Sequence, residues 1–335
     1  MLEIVFSKFG AWPLFLWGKH RCGWAWRGLA VVLVSALLGC ASVPELPQVS
    51  PSMTEFSGEV ARAHLAAIRQ LGPRSPGARA SVLARRYLES AFRGAGAEVL
   101  PAHGRTSPLV ARLPGHSSDR ILVVAPFPAM QENERVDDAG VVSCLELARV
   151  LGQQVSPYTV LLVVGQVGQE TEPIGVRSPS GPAEPGSRSQ LWREAGTALV
   201  DSLAEQSLLE GVRAVILLQP RVRRFPRFAR DLSSQPVFRA LFWETAAQMG
   251  YESAFPPDAK WSEPVGLQTA FVEAGLDQTL VLADESWQDA GSAAQPVDAT
   301  QPAAGFEVLG RVTVASLKRL MRRLERIDAF AAPRP

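Results

Sequence analysis

Apolar residues follow two alternating patterns along most of the chain. Short continuous apolar runs predict buried strands at residues 109–113, 121–125, 160–164, 214–218 and 279–283. Apolar positions at helical spacing predict amphipathic helices at residues 60–71, 81–95, 139–152, 189–208, 236–249 and 306–328. Strands without polar alternation, separated by helices, indicate a mostly parallel sheet that is covered on both faces. The predicted fold class is therefore α/β, with three layers in the order α/β/α.

Residues 1–40 have the features of a bacterial lipoprotein signal peptide. Four basic residues precede an apolar run at 28–38, which is shorter than the roughly 20 residues of a membrane span. The run ends in Leu37-Leu38-Gly39-Cys40, a lipobox pattern in which Cys40 becomes the acylated first residue of the mature protein. The alternatives are an ordinary secretory signal and an N-terminal anchor helix. Ala41 after the cysteine favours the outer membrane, facing the periplasm.

The remainder of the chain divides into a short tether, one domain and a tail. Residues 41–55 are rich in Pro, Ser and Val and predict a tether. Residues 56–328 are long enough for one sizeable α/β domain, and 329–335 form a tail. Cys144 has no disulfide partner once Cys22 is removed and Cys40 is acylated, so we expect it to be a small buried apolar residue.

The charge balance excludes one class of partner. The whole chain has a net charge of +1, and residues 1–40 contain four basic residues and one acidic residue, so the remainder has a net charge of −2. This value argues against a nucleic-acid partner. One local exception is a basic cluster, interpreted as a solvated connection or, alternatively, as a contact for lipid headgroups or an acidic partner: Arg221, Arg223, Arg224, Arg227 and Arg230.

Several short motifs occur in order along the domain. They are Gly72-Pro73-Arg74 within 70–77, the strand and turn at 110–115, the strand at 121–125 with Asp137-Asp138, Gly168-Gln169-Glu170, and Ser262-Glu263 before 271–276. In this order they resemble the zinc-dependent aminopeptidase and glutaminyl cyclase family of di-zinc exopeptidases, with 271–276 in the place of a late loop and strand. The resemblance implies a zinc-exopeptidase-like fold.

The resemblance also implies the position of each site residue. The family's bridging aspartate corresponds to Asp138 and one ligand glutamate to Glu170, and these are the two retained metal positions. The other positions are replaced: the first histidine and the aspartate two residues later by Pro126 and Pro128, the general-base glutamate by Gln169, the ligand aspartate after the third strand by Gln219, and the last histidine by a residue near Ala294.

These replacements remove the chemistry that zinc catalysis needs. A catalytic zinc ion takes about three protein donors and an open water position. Proline offers no donor, and a glutamine amide cannot take a proton from water near neutral pH. Two carboxylates without imidazole suit harder ions better than zinc. The sequence therefore predicts vestigial metal positions, no catalytic residue and no cofactor.

Other polar residues leave further alternatives open. His64, His103 and His116 match no ligand position and are expected to be surface or hydrogen-bonded histidines. Asp138 could instead cap a helix. A substitute site for a hard cation could join Asp138 and Glu170 with the other nearby acidic residues: Asp137, Glu172, Asp284, Glu285 and Asp289. Four tryptophans are candidates for lining a cleft, of which Trp243 fits the core better: Trp192, Trp243, Trp261 and Trp287.

The function predicted from these features is binding rather than catalysis. We expect a domain that is anchored to the bacterial cell envelope through lipid on Cys40 and that binds a peptide or an envelope protein. One alternative is an active zinc-dependent aminopeptidase or glutaminyl cyclase with displaced ligands, since a one-residue shift after Gly165 changes which side chains meet the metal. Another is a structural lipoprotein without a ligand.

Overall fold

The structure is a computed structural model, and it describes the chain in ten segments: residues 43–47, 52, 54–74, 78–102, 107–128, 138–167, 185–220, 225–262, 266–285 and 303–331. The predicted signal peptide and Cys40 lie outside these residues. No helix in the described segments combines the length and the apolar character needed to cross a membrane.

A central sheet of six strands carries the fold. The strands are β1 (Glu98–Val99), β2 (Leu109–Leu113), β3 (Gly115–Pro128), β4 (Ser156–Val167), β5 (Val212–Gln219) and β8 (Thr279–Ala283). Their order across the sheet is β1-β2-β4-β3-β5-β8. The pairs β3–β4, β3–β5 and β5–β8 are parallel, whereas β1 and β2 are antiparallel additions at one edge. The prediction of a mostly parallel sheet is confirmed.

Helices cover both faces of this sheet, as the continuous apolar strands predict. They are α1 (Gly58–Gln70), α2 (Arg79–Gly94), α3 (Ala139–Leu151), α4 (Pro185–Glu205), α5 (Pro236–Gln248), α6 (Leu267–Glu273) and α7 (Ala304–Ala331). Alternate strand residues divide between two buried clusters. The larger core cluster contains Val123 and residues of α1, α2, α3, α5 and α7, and the smaller core cluster contains Val124 and residues of α4 and α6. The three-layer α/β/α prediction is confirmed.

The structure corrects several details of the predicted elements. β3 and β4 extend well beyond the predicted five-residue runs. The apolar pattern did not predict their ends, because these ends alternate between apolar and polar residues or contain proline. Phe271 lies in α6 rather than in a late strand, since Leu267, Ala270 and Phe271 form one buried helical face. Two strands, β6 (Arg230–Asp231) and β7 (Trp261–Ser262), form a separate parallel pair. Two residues are too few to show a strand period.

The described part of the predicted tether contacts the domain at one edge. Val43 and Leu46 pack against the larger core cluster, and Leu46 lies beside Gly94 at the end of α2. Further along, Arg149 near the end of α3 donates hydrogen bonds to the carbonyl oxygens of Ser52 (3.1 Å) and Glu55 (2.6 Å). Because α3 leads from the end of β3 towards the start of β4, its last turn lies near the amino ends of the parallel strands.

Candidate functional site

The carboxyl ends of β3 and β5 lie beside the start of α3. This carboxyl edge of the sheet is opposite to the amino ends of the strands, where the tether makes its contacts. Gly140, the second residue of α3, approaches β5 so closely that an ideal Cβ would lie 2.4 Å from the carbonyl oxygen of Leu218. Only glycine permits this approach. The N-cap residue Asp138 is therefore held beside the last residues of both strands.

Asp138 forms a buried ion pair with Arg74. The Nη2 atom of Arg74 lies 2.8 Å from Oδ1 and 2.9 Å from Oδ2 of Asp138, so one nitrogen contacts both carboxylate oxygens. Both side chains are 1% exposed. The guanidinium carbon of Arg74 also lies 4.6 Å from the ring centroid of Phe127, near the end of β3. The pair thus joins the turn after α1 to the strand end and to α3.

The electrostatic balance of this pair depends on its burial. Burial raises the pKa of Asp138, and the Arg74 guanidinium opposes that shift by attraction and by hydrogen bonding. Asp138 lies at the N-cap of α3, but its side chain makes no capping hydrogen bond. The interpretation of Asp138 as a helix cap is therefore wrong, because its carboxylate is directed to Arg74.

Gln219 ends β5 at the same edge of the sheet. It pairs with Ala283 of β8 and is 2% exposed. Among the described residues, neither its amide nitrogen nor its amide oxygen has a hydrogen-bond partner, and the Nε and Nη1 atoms of Arg74 also lack one there. Buried polar atoms without partners are uncommon in folded proteins and are costly. Gln219 therefore places at the end of β5 a neutral amide that the described part of the fold does not satisfy.

Two prolines lie at the end of β3. Pro126 pairs with Gly165 and Pro128 with Val167 of β4, whereas pairing with β5 ends earlier, at Val124 and Leu217. Proline has no backbone N–H to donate to a second neighbour, which is consistent with this early end. The strand end thus supplies neither a nitrogen nor an oxygen side-chain donor.

Comparison with known proteins gives a clear result only at the level of structure. No protein-family model matches the chain, and no curated protein matches it. Solved structures do match it over nearly their full length. They include a leucine aminopeptidase precursor from Bacteroides thetaiotaomicron, with 17% identity and a TM-score of 0.59, covering 80% of this chain and 99% of the other.

Two further matches extend the comparison. A glutaminyl cyclase from Porphyromonas gingivalis has 16% identity and a TM-score of 0.60, covering 79% of this chain and 99% of the other. A Zn-dependent exopeptidase from Parabacteroides distasonis has 15% identity and a TM-score of 0.58, covering 81% of this chain and 99% of the other. This chain has the zinc-exopeptidase fold. The fold predicted from the ordered motifs is therefore confirmed.

The described residues of this zinc-exopeptidase fold do not fit a zinc ion. Among them no group of three or more His, Cys, Asp or Glu side chains lies close enough to hold a metal. Both oxygens of Asp138 accept from Arg74, whose positive charge lies where a cation would bind. Gln219 offers at most a weakly coordinating amide oxygen.

Several predicted positions lie outside the described residues. They are Asp137, Gln169, Glu170, Glu172, Asp289 and Ala294, together with His103, Trp287 and Arg221, Arg223 and Arg224. The predictions for these residues, including a metal role of Glu170 and the loss of the base at Gln169, stay predictions.

The described histidines lie in a helix and at the amino end of a strand. His64 is buried between α1 and α2, and its Nδ1 atom lies 2.7 Å from the hydroxyl oxygen of Tyr87. Burial lowers the pKa of His64 to about 4. His116 is exposed, and it lies in β3 rather than in a loop. The expectation of a hydrogen-bonded histidine is confirmed for His64.

The other described candidates have different surroundings. Asp284 is buried directly after β8, and Glu285 accepts a hydrogen bond from Arg227 (3.1 Å). Trp243 is buried as expected, and Trp192 packs against the smaller core cluster. Trp261 is 50% exposed. Cys144 is fully buried with a free thiol, as expected, and burial raises its pKa.

Two features were not predicted. Arg74 was recognised as part of a turn motif, but its contact with Asp138 spans 64 residues and leaves no local pattern. Asp231 is a buried acid that accepts hydrogen bonds from the hydroxyls of Ser233 (2.5 Å) and Ser234 (3.1 Å). Burial raises its pKa, and these hydroxyls oppose the shift. The Asp-Leu-Ser-Ser sequence was the available signal, since serine two or three residues after aspartate is typical of a local turn.

Proposed function

We propose that the mature protein is a lipid-anchored domain of the bacterial cell envelope, which has the zinc-exopeptidase fold, performs no zinc catalysis and acts by binding a peptide. The proposal rests on the buried pair of Arg74 and Asp138. A zinc ion at Asp138 would have to displace a guanidinium from both carboxylate oxygens. Displacement would leave a buried cation unpaired, at a cost of several kcal/mol.

The remaining positions support the same proposal. Pro126 and Pro128 offer no ligand, Gln219 offers an amide, and the general-base position in the sequence is Gln169. Because the sheet and its helices are retained, the carboxyl edge of the sheet is still the place where a ligand of such a fold binds. A peptide is the ligand class closest to the substrates of exopeptidases.

Zinc content and peptidase activity test this proposal together. The full chain is purified in detergent, equilibrated with zinc and subjected to elemental analysis, and its activity is measured on aminoacyl-anilides. We expect no stoichiometric zinc and no activity that depends on Asp138. Asp138→Ala is compared with Asp201→Ala, since Asp201 is exposed near the end of α4, which leads towards the amino end of β5. About one zinc ion or more per chain, with activity lost only in Asp138→Ala, would establish the active metallohydrolase instead.

The anchor and the ligand need separate measurements. Incorporation of labelled palmitate should be lost in Cys40→Ser, and the unmodified chain should fractionate with the outer membrane. Thermal stabilisation by members of a peptide library would distinguish a binding domain from a structural lipoprotein, which should show none.

A further inference from the structure

A cluster of cations surrounds one exposed tryptophan on the described surface. The guanidinium carbon of Arg239 lies 4.7 Å from the ring centroid of Trp261, and that of Arg230 lies 5.7 Å from the same centroid. Arg230 is also 5.8 Å from the ring of the buried Trp243. Lys260 precedes Trp261 and is exposed. We call Arg230, Arg239, Lys260 and Trp261 the basic aromatic patch.

The backbone and neighbouring carbonyl groups hold this patch in place. Arg230 and Trp261 are paired across β6 and β7. The Nη1 atom of Arg239 donates to the carbonyl oxygens of Asp231 (2.8 Å) and Ser234 (3.2 Å). The guanidinium of Arg239 is therefore positioned before any ligand arrives, and the backbone of Arg230 is held beside Trp261, which lowers the entropic cost of binding.

The buried Asp231 attracts the guanidinium of Arg239, but the described residues neutralise the positive charge of the patch only in part. Within the described segments, neither Arg230 nor Arg239 forms an ion pair. Asp231 is adjacent in sequence, but its carboxylate is 2% exposed and accepts from two serine hydroxyls. Glu285 instead accepts from Arg227 and from the backbone N–H of Lys260.

The two arginines also repel each other. Burial and the nearby Arg230 lower the pKa of Arg239. A ligand anion between them would relieve this repulsion, and planar guanidinium groups suit carboxylates because they can donate two parallel hydrogen bonds.

The patch adjoins the carboxyl edge of the sheet. The backbone N–H of Ala229 donates to the carbonyl oxygen of Ala283 (2.9 Å), and Ala283 pairs with Gln219 at the end of β5. The backbone N–H of Leu232 donates to the carbonyl oxygen of Ser262 (3.0 Å), and the Leu232 side chain is 52% exposed. An apolar contact surface therefore lies next to the cations.

We propose that the basic aromatic patch binds an acidic peptide segment, with its carboxylates on Arg230 and Arg239 and an apolar side chain on Trp261. This inference deepens the proposed function and rests on it, because it names the class of peptide. Lipid headgroups carry the same kind of charge, but the described tether residues contact the core near the end of α2 and the last turn of α3, at the amino ends of the parallel strands. A lipid on Cys40 would hold that end, not the patch, close to the membrane.

Two peptides that match in length and apolar residues but differ in charge test the inference. The full chain in detergent is titrated with a dye-labelled peptide of alternating glutamate and leucine, and with its glutamine and leucine counterpart, by fluorescence anisotropy. We expect the acidic peptide to bind at least about tenfold more tightly, with weaker binding as salt is raised from about 0.05 to 0.5 M. Arg230→Gln and Trp261→Leu should each weaken it by about tenfold, whereas Arg326→Gln, on the exposed side of α7, should leave it unchanged.

Each other outcome has a definite meaning. Equal binding of both peptides, insensitive to salt, would overturn the inference and leave the peptide-binding role standing. Binding of neither peptide would overturn the inference. Mixed micelles with phosphatidylglycerol that displace the acidic peptide, and lose this effect in Arg230→Gln, would assign the patch to lipid instead. If the protein binds zinc, and Arg230→Gln no longer distinguishes the acidic peptide from its glutamine counterpart, the proposed non-catalytic role fails. The inference that the patch binds an acidic peptide then still stands. Arg239→Lys, which keeps the charge but not the planar group, gives a second variant if Arg230→Gln does not fold.

Discussion

Arg74 and Asp138 are the residues on which the interpretation of the site depends most. We expect Arg74→Met to lower the free energy of unfolding by about 3–5 kcal/mol, because Asp138 would remain buried without its partner. Urea unfolding followed by circular dichroism measures this change. The matched control is Arg112→Met, since the pair of Arg112 with Glu98 is exposed and its loss should cost less than about 1 kcal/mol.

The double variant separates pairing from packing. Arg74→Met combined with Asp138→Leu removes both charges, so it should recover most of the stability that Arg74→Met loses. A single variant that unfolds at the same urea concentration as the unmodified chain would mean that Asp138 does not depend on Arg74. Arg74 would then not prevent a cation from binding at Asp138.

A substitution at Gln219, at the end of the neighbouring strand β5, is expected to raise stability rather than lower it. Gln219→Met replaces an amide whose two polar atoms lack partners within the described segments with an apolar side chain of similar size. We therefore expect the free energy of unfolding to rise by about 1–2 kcal/mol in urea titrations of the ligand-free protein. A loss of stability would show that the folded protein satisfies this amide.

At the scale of single residues, sequence could predict where candidate residues lie in the fold but not what they contact. The resemblance placed Asp138, Pro126 and Gln219 at strand ends, and the structure has all three at or next to the ends of β3 and β5. It could not place Arg74 against Asp138, because contacts between distant segments follow from packing rather than from a local period.

At the scale of elements, the period of apolar residues predicted the main helices and strands well. β2 and β8 have the predicted bounds, because their residues are nearly all buried. The ends of β3 and β4 were missed where burial no longer requires apolar residues. β1, β6 and β7 were missed because two-residue strands carry no period, and β6 and β7 are the strands that position Arg230 and Trp261.

The contact of His64 with Tyr87 couples helices α1 and α2 to pH. Burial lowers the pKa of His64 from 6.5 to about 4, so the folded protein binds this proton less readily than the unfolded chain. As pH falls from about 6.5 to 4, the unfolded chain becomes protonated first, and stability should decrease by about 3 kcal/mol in total from this group. Below pH 4 both states are protonated, and the contribution no longer changes with pH.

His64→Gln isolates this contribution. The variant cannot titrate, so its free energy of unfolding should fall less steeply between pH 6.5 and pH 4 than that of the unmodified chain, even if its stability at pH 7 is lower. Urea titrations at a series of pH values measure both slopes. Parallel slopes would contradict the assignment of a neutral, buried His64.

At the scale of the whole molecule, the described tether residues and the candidate site lie at opposite ends of the parallel strands. Val43 and Leu46, shortly after Cys40, pack at the edge near the end of α2, and Gly152 at the end of α3 lies close to the carbonyl oxygen of Ala95. Three residues of extended chain span about 10 Å. If Cys40 carries the proposed anchor, we expect the short connection to Val43 to keep this end of the domain near the membrane. The strand ends with Asp138 and Gln219 lie at the other end of the parallel strands.

Site-directed fluorescence tests this orientation. Val155 is 64% exposed just before β4, and Leu232 is 52% exposed beside the basic aromatic patch. Fully buried Cys144 should resist labelling, so Val155→Cys and Leu232→Cys each provide one reactive thiol in the acylated protein. With lipids that carry a headgroup quencher in reconstituted vesicles, we expect strong quenching at position 155 and little at position 232. Equal quenching at both positions would mean that the candidate site lies as close to the bilayer as the anchored edge, and an acidic peptide in solution would no longer be favoured over lipid headgroups.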